Sequence, residues 1–462
     1  MAWVWWAVLA GAAAADDAEQ PSEVPKGMER VEPEVVLNAP PFVLEGGPVW
    51  TGDGSRYDRG FVAVSGGRIT DVGDGDAPAG LPGPRIDITG QHVTPGIIDS
   101  HSHLGVYPSP GARAHGDGNE ATSPTTAGVW AEHSTWPQDP GFYRAIAGGV
   151  TTLHILPGSA NLIGGRGVTM RPVPGRGSRA MRFPGAPETV KMACGENPKR
   201  VYGDRGGPST RMGNLRGLRQ TFADVAKDLP KDDDTKKKKK KKGKGSGSGK
   251  PSDNLNEQTI QGVLKGEILP QVHCYRADDM LSMLQVAEEF GFRIRSFHHA
   301  TEAYKIRDIL ADKDVSASVW ADWWGFKLEA YDAIPAGAAM VAAAGAKAVI
   351  HSDSGIGIQR LNQESAKALR AGRELGIEVD EDDAITWITL NPAWTLGIDD
   401  QTGSLTKGKR ADLVVWDQRP LSVYASARLV FVDGALRYDK DRPQTWSDFE
   451  VGQALDAEEN DR

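Results

Sequence analysis

Seven short apolar runs constrain the fold of this chain most, because each of them ends in polar or reactive side chains. The runs are VTPGIIDSHSH, GGVTTLHILPG, TVKMACGE, LPQVHCY, FRIRSFHHA, VSASVW and AKAVIHSDS. Such runs predict strands that are buried on both faces, as in a parallel sheet covered by helices. Amphipathic stretches such as ADDMLSMLQVAEEFG and NQESAKALRAGRELG lie between several runs and end in a glycine suited to a helix C-terminus. The alternation predicts an α/β barrel over residues 93–403.

The two ends of the chain carry a different pattern. Residues 37–92 contain short alternating runs such as GFVAVSGGRITDVG, and residues 404–440 contain ADLVVWD and ARLVFVDGALRY. Alternation broken by glycine and aspartate turns is typical of antiparallel strands. The sequence therefore predicts a small β-sandwich domain formed from both termini, with the barrel inserted between them.

Length and charge exclude several classes of protein. A chain of 462 residues can bury a large core, and a net charge of −9 with a pI near 5.7 offers no general basic surface for nucleic acid. We expect a small-molecule substrate and no nucleic-acid partner, and the composition leaves a homo-oligomer open. The lysine run 236–242 lies in a Lys/Gly/Ser-rich insertion, residues 227–255, that we expect to be a disordered, solvated loop. Its alternative role is attachment to an anionic polymer or envelope.

The chain begins with an apolar stretch that is too short to span a bilayer. Residues 1–15, MAWVWWAVLAGAAAA, are typical of a cleavable signal peptide, followed by a leader over residues 16–36. We therefore expect an exported protein, periplasmic or secreted, without stable membrane insertion after cleavage. The stretch has no Lys or Arg before its apolar part, which leaves open a misassigned start or a retained anchor. Residues 441–462 form an acidic tail.

The two cysteines are too few for a disulfide scaffold. Cys194 and Cys274 both fall in or beside predicted barrel strands. We interpret them as packed thiols and not as a disulfide.

Five of the ten histidines lie at or beside the carboxyl ends of predicted strands, where barrels place their active sites. His101 and His103 are two residues apart on one strand, so their imidazoles share a face. His273, His299 and Asp353 end later runs. Imidazole and carboxylate ligands without thiolate suit Zn, Mn, Fe or Ni, and zinc is the commonest case. The sequence thus predicts that these five residues bind one or two divalent metal ions, with zinc as the expected metal.

At these residues the chain resembles the amidohydrolase superfamily. The resemblance rests on the HxH strand, single histidines on two later strands, a last aspartate, and the segments GKRADLVVWD and LVFVDGALRYD, which are similar to imidazolonepropionase-like members. PGSANLIGGRG and KMACGENPKRVYG resemble a secreted subgroup of these hydrolases. The resemblance implies a (β/α)8, TIM-like barrel.

The resemblance also implies roles for the candidate residues. His101 and His103 would bind the first metal, His273 and His299 would serve the second or shared site, and Asp353 would bind metal and act as the catalytic base. A carboxylated lysine or a glutamate bridges the ions in two-metal relatives, and TVKMACGENP offers Lys191 and Glu196. We favour Glu196, which ends the strand beside a glycine turn, with Lys191 as the alternative.

Residues near these ligands have structural and functional interpretations. His298 precedes His299 and should point the opposite way, which favours packing or a helix-facing position over ligation. His351 shares a face with Asp353 and either touches substrate or is a satisfied core histidine. The other candidates for substrate contacts are Asn161 and His154 in or near the loop after the second strand, Arg211 and Arg276 as clamps for a carboxylate, and the aromatic cluster Trp320, Trp323 and Trp324, for which core packing is the simpler interpretation.

The predicted function is hydrolysis of a C–N bond, in an amide or cyclic amide, by metal-activated water. A bound metal lowers the pKa of water from about 15.7 towards 7, and Asp353 would carry the proton to the leaving nitrogen. N-acyl amino acids, dipeptides and imidazolones are the candidate substrates. The alternatives are a metal-dependent deaminase and a non-catalytic amidohydrolase-like scaffold.

Overall fold

The computed structural model describes residues 39–227, 229 and 252–442, all within one compact unit, Glu32–Arg462. The predicted signal peptide, the leader, the lysine run and the acidic tail beyond residue 442 lie outside the described residues. Among the helices of the described part, none is both long and apolar enough to cross a membrane.

Eight strands form the central sheet in the order of the chain, as in a TIM-like barrel. They are β6 (Ile97–Ser102), β7 (Val150–Ile155), β8 (Ile163–Met170), β9 (Glu188–Ala193), β10 (Ile268–His273), β11 (Ser296–His298), β12 (Ser316–Val319) and β13 (Ala348–Ile350). Every residue of β6, β7 and β8 is buried, because side chains face the barrel interior on one side and the covering segments on the other. The expected doubly buried strands are present at all seven apolar runs.

The strand β8 departs from the expected alternation of strand and helix. It pairs antiparallel with both β7 and β9, and only a short 3-10 helix separates it from β9. The sequence IGGRGVTM hides this strand because its glycines have low β-propensity. Gly167 is required by close approach: a Cβ there would lie 2.6 Å from Thr189 Oγ1 and 2.7 Å from His154 Nε2.

The first and last barrel strands, β6 and β13, are linked by hydrogen bonds to the segment that contains Trp387 and Ile388. The amide of Ile98 on β6 donates to the carbonyl of Ile388 at 2.9 Å, and the amide of Ile350 on β13 donates to that of Trp387 at 3.0 Å. Farther along, the amide of Asp353 donates directly to the carbonyl of His101 at 3.0 Å. The barrel seam therefore brings the predicted first ligand and the predicted base side by side.

Helices lie between most of the later strands and after the last one. The α-helices of the described residues are α1 (Pro140–Ala147), α2 (Glu196–Tyr202), α3 (Arg211–Ala226), α4 (Leu255–Leu264), α5 (Ala277–Phe290), α6 (Arg307–Asp312), α7 (Gly337–Ala343), α8 (Leu361–Glu374), α9 (Glu381–Thr386) and α10 (Leu390–Leu396). The 3-10 helices span Arg113–His115, Ala131–Ser134, Ser178–Met181, Gly203–Arg205, Ala303–Ile306, Leu328–Ala330 and Gly357–Arg360. The predicted glycine stop of α5 is Gly291, whose φ of 74° is the left-handed conformation that glycine adopts without strain.

The two ends of the chain form one mixed sheet, and the predicted two-sheet sandwich is not confirmed. Its strands are β1 (Phe42–Trp50), β2 (Arg56–Ser65), β3 (Arg68–Asp74), β4 (Arg85–Asp87), β5 (His92–Pro95), β14 (Leu413–Trp416), β15 (Ala427–Val432) and β16 (Ala435–Asp439). They run in the order β16-β15-β14-β5-β1-β2-β3, with β4 beside β1. The antiparallel pairing of β14 with β5 joins the two ends.

The strand β14 shows how this sheet packs on the barrel. Leu413 and Val415 belong to the core of the sheet, whereas Val414 and Trp416 belong to the main core of the barrel. Because successive side chains of a strand point to opposite faces, a continuous apolar run such as LVVW serves two cores at once.

The interpretation of the two cysteines as free thiols is wrong. Cys194 and Cys274 form a disulfide with a Cα–Cα distance of 5.4 Å. Each follows the last residue of its strand, and β9 and β10 pair in register at Ala193 and His273. Neighbouring parallel strands thus place the two side chains within disulfide reach, although 80 residues separate them in sequence.

A buried carboxylate near the start of β14 gives a prediction for stability. Asp412 accepts hydrogen bonds from Thr402 Oγ1 (2.7 Å) and from the amide of Asp433 (2.9 Å). Burial, reinforced by the Asp433 carboxylate, raises the pKa of Asp412 to about 6, against roughly 3.9 in an unfolded chain. Protonated Asp412 therefore stabilises the fold below about pH 4, and this contribution is lost as the pH rises through about 6.

We expect the stability of the wild type relative to Asp412→Asn to fall by about 2–3 kcal/mol between pH 4 and pH 7. Urea unfolding of both proteins at a series of pH values measures this difference. A difference that is constant with pH, or that grows as the pH rises, would contradict the assignment.

Candidate metal centre

The predicted ligands of the first metal converge with the predicted base. Nε2 of His103 lies 3.2 Å from Asp353 Oδ1, and Nε2 of His101 lies 3.7 Å from the same oxygen. The two histidines come from the carboxyl end of β6, and Asp353 follows β13 across the seam. One ligand atom from each of the three residues lies within 4.8 Å of the others, so the group could hold a metal ion.

His299, which directly follows β11, also lies in this cluster. Its Nε2 lies 3.7 Å from Asp353 Oδ2, and it forms a second potential metal-binding group with His101 and His351. His299 and Asp353 both have left-handed backbone conformations, with φ of 58° and 49°. Non-glycine residues rarely adopt this conformation, and it is often found at functional sites.

Lys191, the alternative bridging residue, lies in the cluster. Its side chain is 1% exposed in β9, and Nζ is 3.3 Å from Nε2 of His101. Burial lowers the pKa of Lys191 to about 7. A large fraction of the amine is therefore uncharged near neutral pH.

Glu196, the bridging residue that we favoured, is not brought to the cluster. It is the first residue of α2, and its carboxylate lies 3.8 Å from Lys327 Nζ with about a third of the side chain exposed. The turn at Gly195 carries the chain out of the strand before Glu196. Of the two candidates, the geometry favours Lys191.

His273 ends β10 and is 2% exposed. Its Nε2 lies 3.2 Å from the Asn197 side-chain amide, and its Nδ1 is buried without a hydrogen-bond partner among the described residues. Its ring centroid is 4.8 Å from that of His299. His273 lies outside both three-residue groups found in the described part of the chain, but its free nitrogen is the kind of orphaned atom that a cation satisfies.

Two further histidines contact the predicted ligands His101 and His299. Nε2 of His351 lies 2.8 Å from Nδ1 of His299, and Nδ1 of His351 lies 3.0 Å from the carbonyl of Val319. His298 does not face a helix: its Nδ1 lies 2.9 Å from Nδ1 of His101 and its Nε2 2.7 Å from Gln271 Oε1. Partners of this kind fix the ring orientation of metal-binding histidines.

Asp99 is a buried residue of the site that the sequence interpretation missed. Its carboxylate accepts hydrogen bonds from the amides of His101 and Ser352, both at 3.1 Å, and from Ser352 Oγ. It therefore holds together the segments that carry His101 and Asp353. The signal was present in DSHSH, because Asp99 shares the strand face of His101 and His103.

The electrostatics of the site favour the neutral form of its fully buried imidazoles and the ionised form of Asp353. Burial lowers the pKa of His351 to about 4, and it lowers the pKa values of His101, His273 and His299 well below their usual range. Burial raises the pKa of Asp353, but the hydrogen bond from the less buried His103 helps to lower it on balance. Neutral imidazole and carboxylate are the forms that bind metal.

The predicted substrate contacts outside the cluster mostly have partners within the protein. Arg211 pairs with Asp279 (3.0 Å) and with Glu329, while Arg276 pairs with Asp278 (2.7 Å). Nδ2 of Asn161 donates to Thr126 Oγ1 (3.0 Å) and to the carbonyls of Glu120 and Ser123. Nε2 of His154 lies 2.8 Å from Thr189 Oγ1, deep in the barrel wall.

The predicted aromatic cluster divides into buried and exposed parts. Trp320 is buried and stacks on His299 with ring centroids 4.7 Å apart. Trp323 and Trp324 are exposed, by 38% and 61%. Core packing explains Trp320 alone.

The chain is similar in sequence to known amidohydrolases. The model of the Amidohydrolase family matches residues 331–440. The chain is 32% identical over 431 residues to "Amidohydrolase tasK" of Hapsidospora irregularis, an alignment that covers 86% of this chain and 43% of that protein. The chain spans less than half the length of the curated relatives it matches.

Solved structures extend the similarity over the whole barrel. An adenosine deaminase from Xanthomonas campestris with bound zinc has a TM-score of 0.52 at 13% identity, covering 91% of this chain and 98% of that one, and it shows the fold alone. An amidohydrolase from Thermotoga maritima is 34% identical with a TM-score of 0.75, and the match covers 86% of this chain and 100% of that one. The chain therefore belongs to the amidohydrolase superfamily, a family of hydrolases that act on carbon–nitrogen bonds.

Proposed function

We propose that this protein is a metal-dependent hydrolase that cleaves the C–N bond of an amide or cyclic amide. The observation that carries the proposal is the convergence of His101, His103, His299 and Asp353, with Lys191, at the carboxyl ends of the barrel strands. Imidazoles gathered around one carboxylate, with His101 and His299 fully buried, suit a divalent cation better than they suit a packed core.

The proposed metal ligands are His101, His103, His273, His299, Asp353 and a carboxylated Lys191. The unpartnered Nδ1 of His273 and the uncharged fraction of Lys191 support this set. Oxygen and nitrogen donors without thiolate favour zinc, as one or two ions. Such an ion, when bound, lowers the pKa of water and polarises the carbonyl of the substrate.

Asp353 is the proposed base and acid. Its ionised carboxylate takes a proton from the attacking water as the water oxygen bonds to the carbonyl carbon. The same oxygen of Asp353 then gives the proton to the nitrogen as the C–N bond breaks. The left-handed backbone of Asp353 and the hydrogen bond from its backbone amide to the carbonyl of His101 hold the carboxylate at this position.

Export is a separate proposal that the disulfide supports. Disulfides persist in oxidising compartments and are rare in the cytosol. The Cys194–Cys274 bond therefore agrees with the signal peptide proposed for residues 1–15. Mass spectrometry of protein from the native host, with a mature N-terminus near residue 16, tests it.

Metal removal tests the proposed function. We expect protein purified without chelators or a His-tag to contain one or two equivalents of metal, and His101→Ala to lose most of it, because His101 contacts Lys191, His298 and Asp353. Elemental analysis measures the content.

N-acyl amino acids, dipeptides and cyclic amides are the substrates to screen for activity. This activity should disappear when a chelator is added and return when zinc is added.

The products separate the two candidate reactions. Release of an amine or amino acid supports amide hydrolysis, whereas ammonia from an aminated ring would indicate the deaminase alternative. Metal-free protein with no turnover after addition of zinc would support a non-catalytic scaffold instead.

A further inference from the structure

We infer that the active site accepts substrates that carry an aromatic or similarly flat apolar group beside the reacting amide. This inference rests on the proposed function and assigns a binding surface for one part of the substrate. The surface is an aromatic wall formed by Tyr275, Trp320, Trp323 and Phe326, of which the last three lie in or directly before the mouth loop, residues 321–331.

The wall is continuous from a proposed metal ligand to solvent. Trp320 stacks on His299 with centroids 4.7 Å apart, and Trp323 stacks on Trp320 at 5.1 Å. Phe326 meets Trp320 edge to face at 5.8 Å and Tyr275 at 6.1 Å. The ring contacts therefore form an unbroken series from His299 to the exposed rings of Trp323 and Phe326.

The outer part of the wall is exposed at an energetic cost. Trp323 is 38% exposed and Phe326 is 51% exposed. Isolated exposed apolar side chains are ordinary, but a contiguous aromatic patch beside a reactive site is typical of a ligand-binding surface.

Polar contacts fix the mouth loop in place. Lys327 Nζ donates to Asn197 Oδ1 (3.0 Å) and to the Tyr275 hydroxyl (3.3 Å). Glu329 accepts from the amide of Glu196 (3.0 Å) and from Arg211. The exposed rings are thus held in one arrangement before any ligand arrives, which lowers the entropy lost on binding.

The charges at the loop do not demand a charged ligand. Lys327 has the Glu196 carboxylate 3.8 Å away, and Arg211 and Glu329 pair with each other. The exposed rings are consequently the feature that selects the ligand. Flat groups stack on Trp and Phe rings with more contact area than a methyl group gains.

The test compares Trp323→Ala with Trp324→Ala. Trp324 belongs to the same loop and is more exposed, at 61%, but it makes none of the ring contacts of the wall. Metal-loaded wild type and both variants are assayed with substrate pairs that differ only in a phenylalanine or an alanine side chain, in N-acyl amino acids and in dipeptides.

We expect wild type to prefer the phenylalanine member by at least about tenfold in kcat/KM, the scale at which apolar pockets discriminate. Trp323→Ala should remove most of this preference by lowering kcat/KM for the phenylalanine substrate while that for the alanine substrate stays the same. Trp324→Ala should retain the preference. Equal losses on both substrates would indicate a structural role, and no preference in wild type would overturn the inference.

A binding measurement separates this inference from the proposed reaction. Saturation-transfer NMR with 2-phenylethanol, against ethanol, needs no turnover. If 2-phenylethanol binds the wild type and Trp324→Ala but not Trp323→Ala, the aromatic wall is a binding surface even if no amide is hydrolysed. If 2-phenylethanol does not bind the wild type, the inference is overturned, and the metal and product assays alone decide whether the protein is a hydrolase.

Discussion

Asp353→Asn is expected to keep the fold and lose turnover, with kcat lower by about 10²–10⁴-fold, the usual contribution of a general acid–base group. Asparagine has nearly the same shape, and it tolerates the left-handed backbone that Asp353 adopts at φ 49°. The amide cannot accept the proton of water and return it to the leaving nitrogen. Steady-state kinetics with the substrate found in the amide screen measures the loss, and circular dichroism checks the fold.

Asp314→Asn is the matched control for this variant. Asp314 has a similar backbone, with φ of 51°, but it is half exposed and pairs with Lys347 at 2.8 Å, away from the cluster. Its substitution should leave kcat unchanged. A kcat in Asp353→Asn equal to that of this control would refute the role of Asp353 as base.

Lys191→Met is expected to lower both metal content and activity. Methionine fills a volume similar to that of the buried lysine stem, so packing in β9 is retained while Nζ, 3.3 Å from His101, is removed. We expect kcat/KM to fall by about 10–100-fold, the usual cost of losing a group that supports metal ligands. Elemental analysis and kinetics on the same preparation measure the two effects together.

Glu196→Gln distinguishes the two bridging candidates. The Glu196 carboxylate is partly exposed, and its ion pair within the described part of the chain is the long contact with Lys327, so its neutralisation should change activity by no more than about threefold. If Glu196→Gln instead lost metal while Lys191→Met retained it, Glu196 and not Lys191 would be the bridging residue.

The barrel and the first two ligands were predictable because they depend on local periodicity. Side chains two residues apart share a strand face, so DSHSH fixes the relation of His101 to His103 without any knowledge of the rest of the chain. Doubly buried strands also give continuous apolar runs. The strand β8 was not predictable in this way because three glycines interrupt its pattern, and one of them, Gly167, is required by tertiary contact with Thr189 and His154.

Properties that depend on where the chain turns were not predictable. Glu196 and Lys191 both suit a bridging position in sequence, and only the turn at Gly195 into α2 separates them. The direction of the His298 side chain was not predictable for a similar reason: His299 leaves the strand conformation at φ 58°, so strict alternation no longer applies. The disulfide follows from the register of β9 and β10, which the sequence does not state.

Anomalous X-ray diffraction at the zinc edge, on crystals of the zinc-loaded protein, locates the metal directly. We expect an anomalous peak in coordinating contact with His101, His103 and Asp353, and with the side chain of Lys191. A zinc ion bound elsewhere, or a protein that takes up zinc with these side chains left uncoordinated, would contradict it.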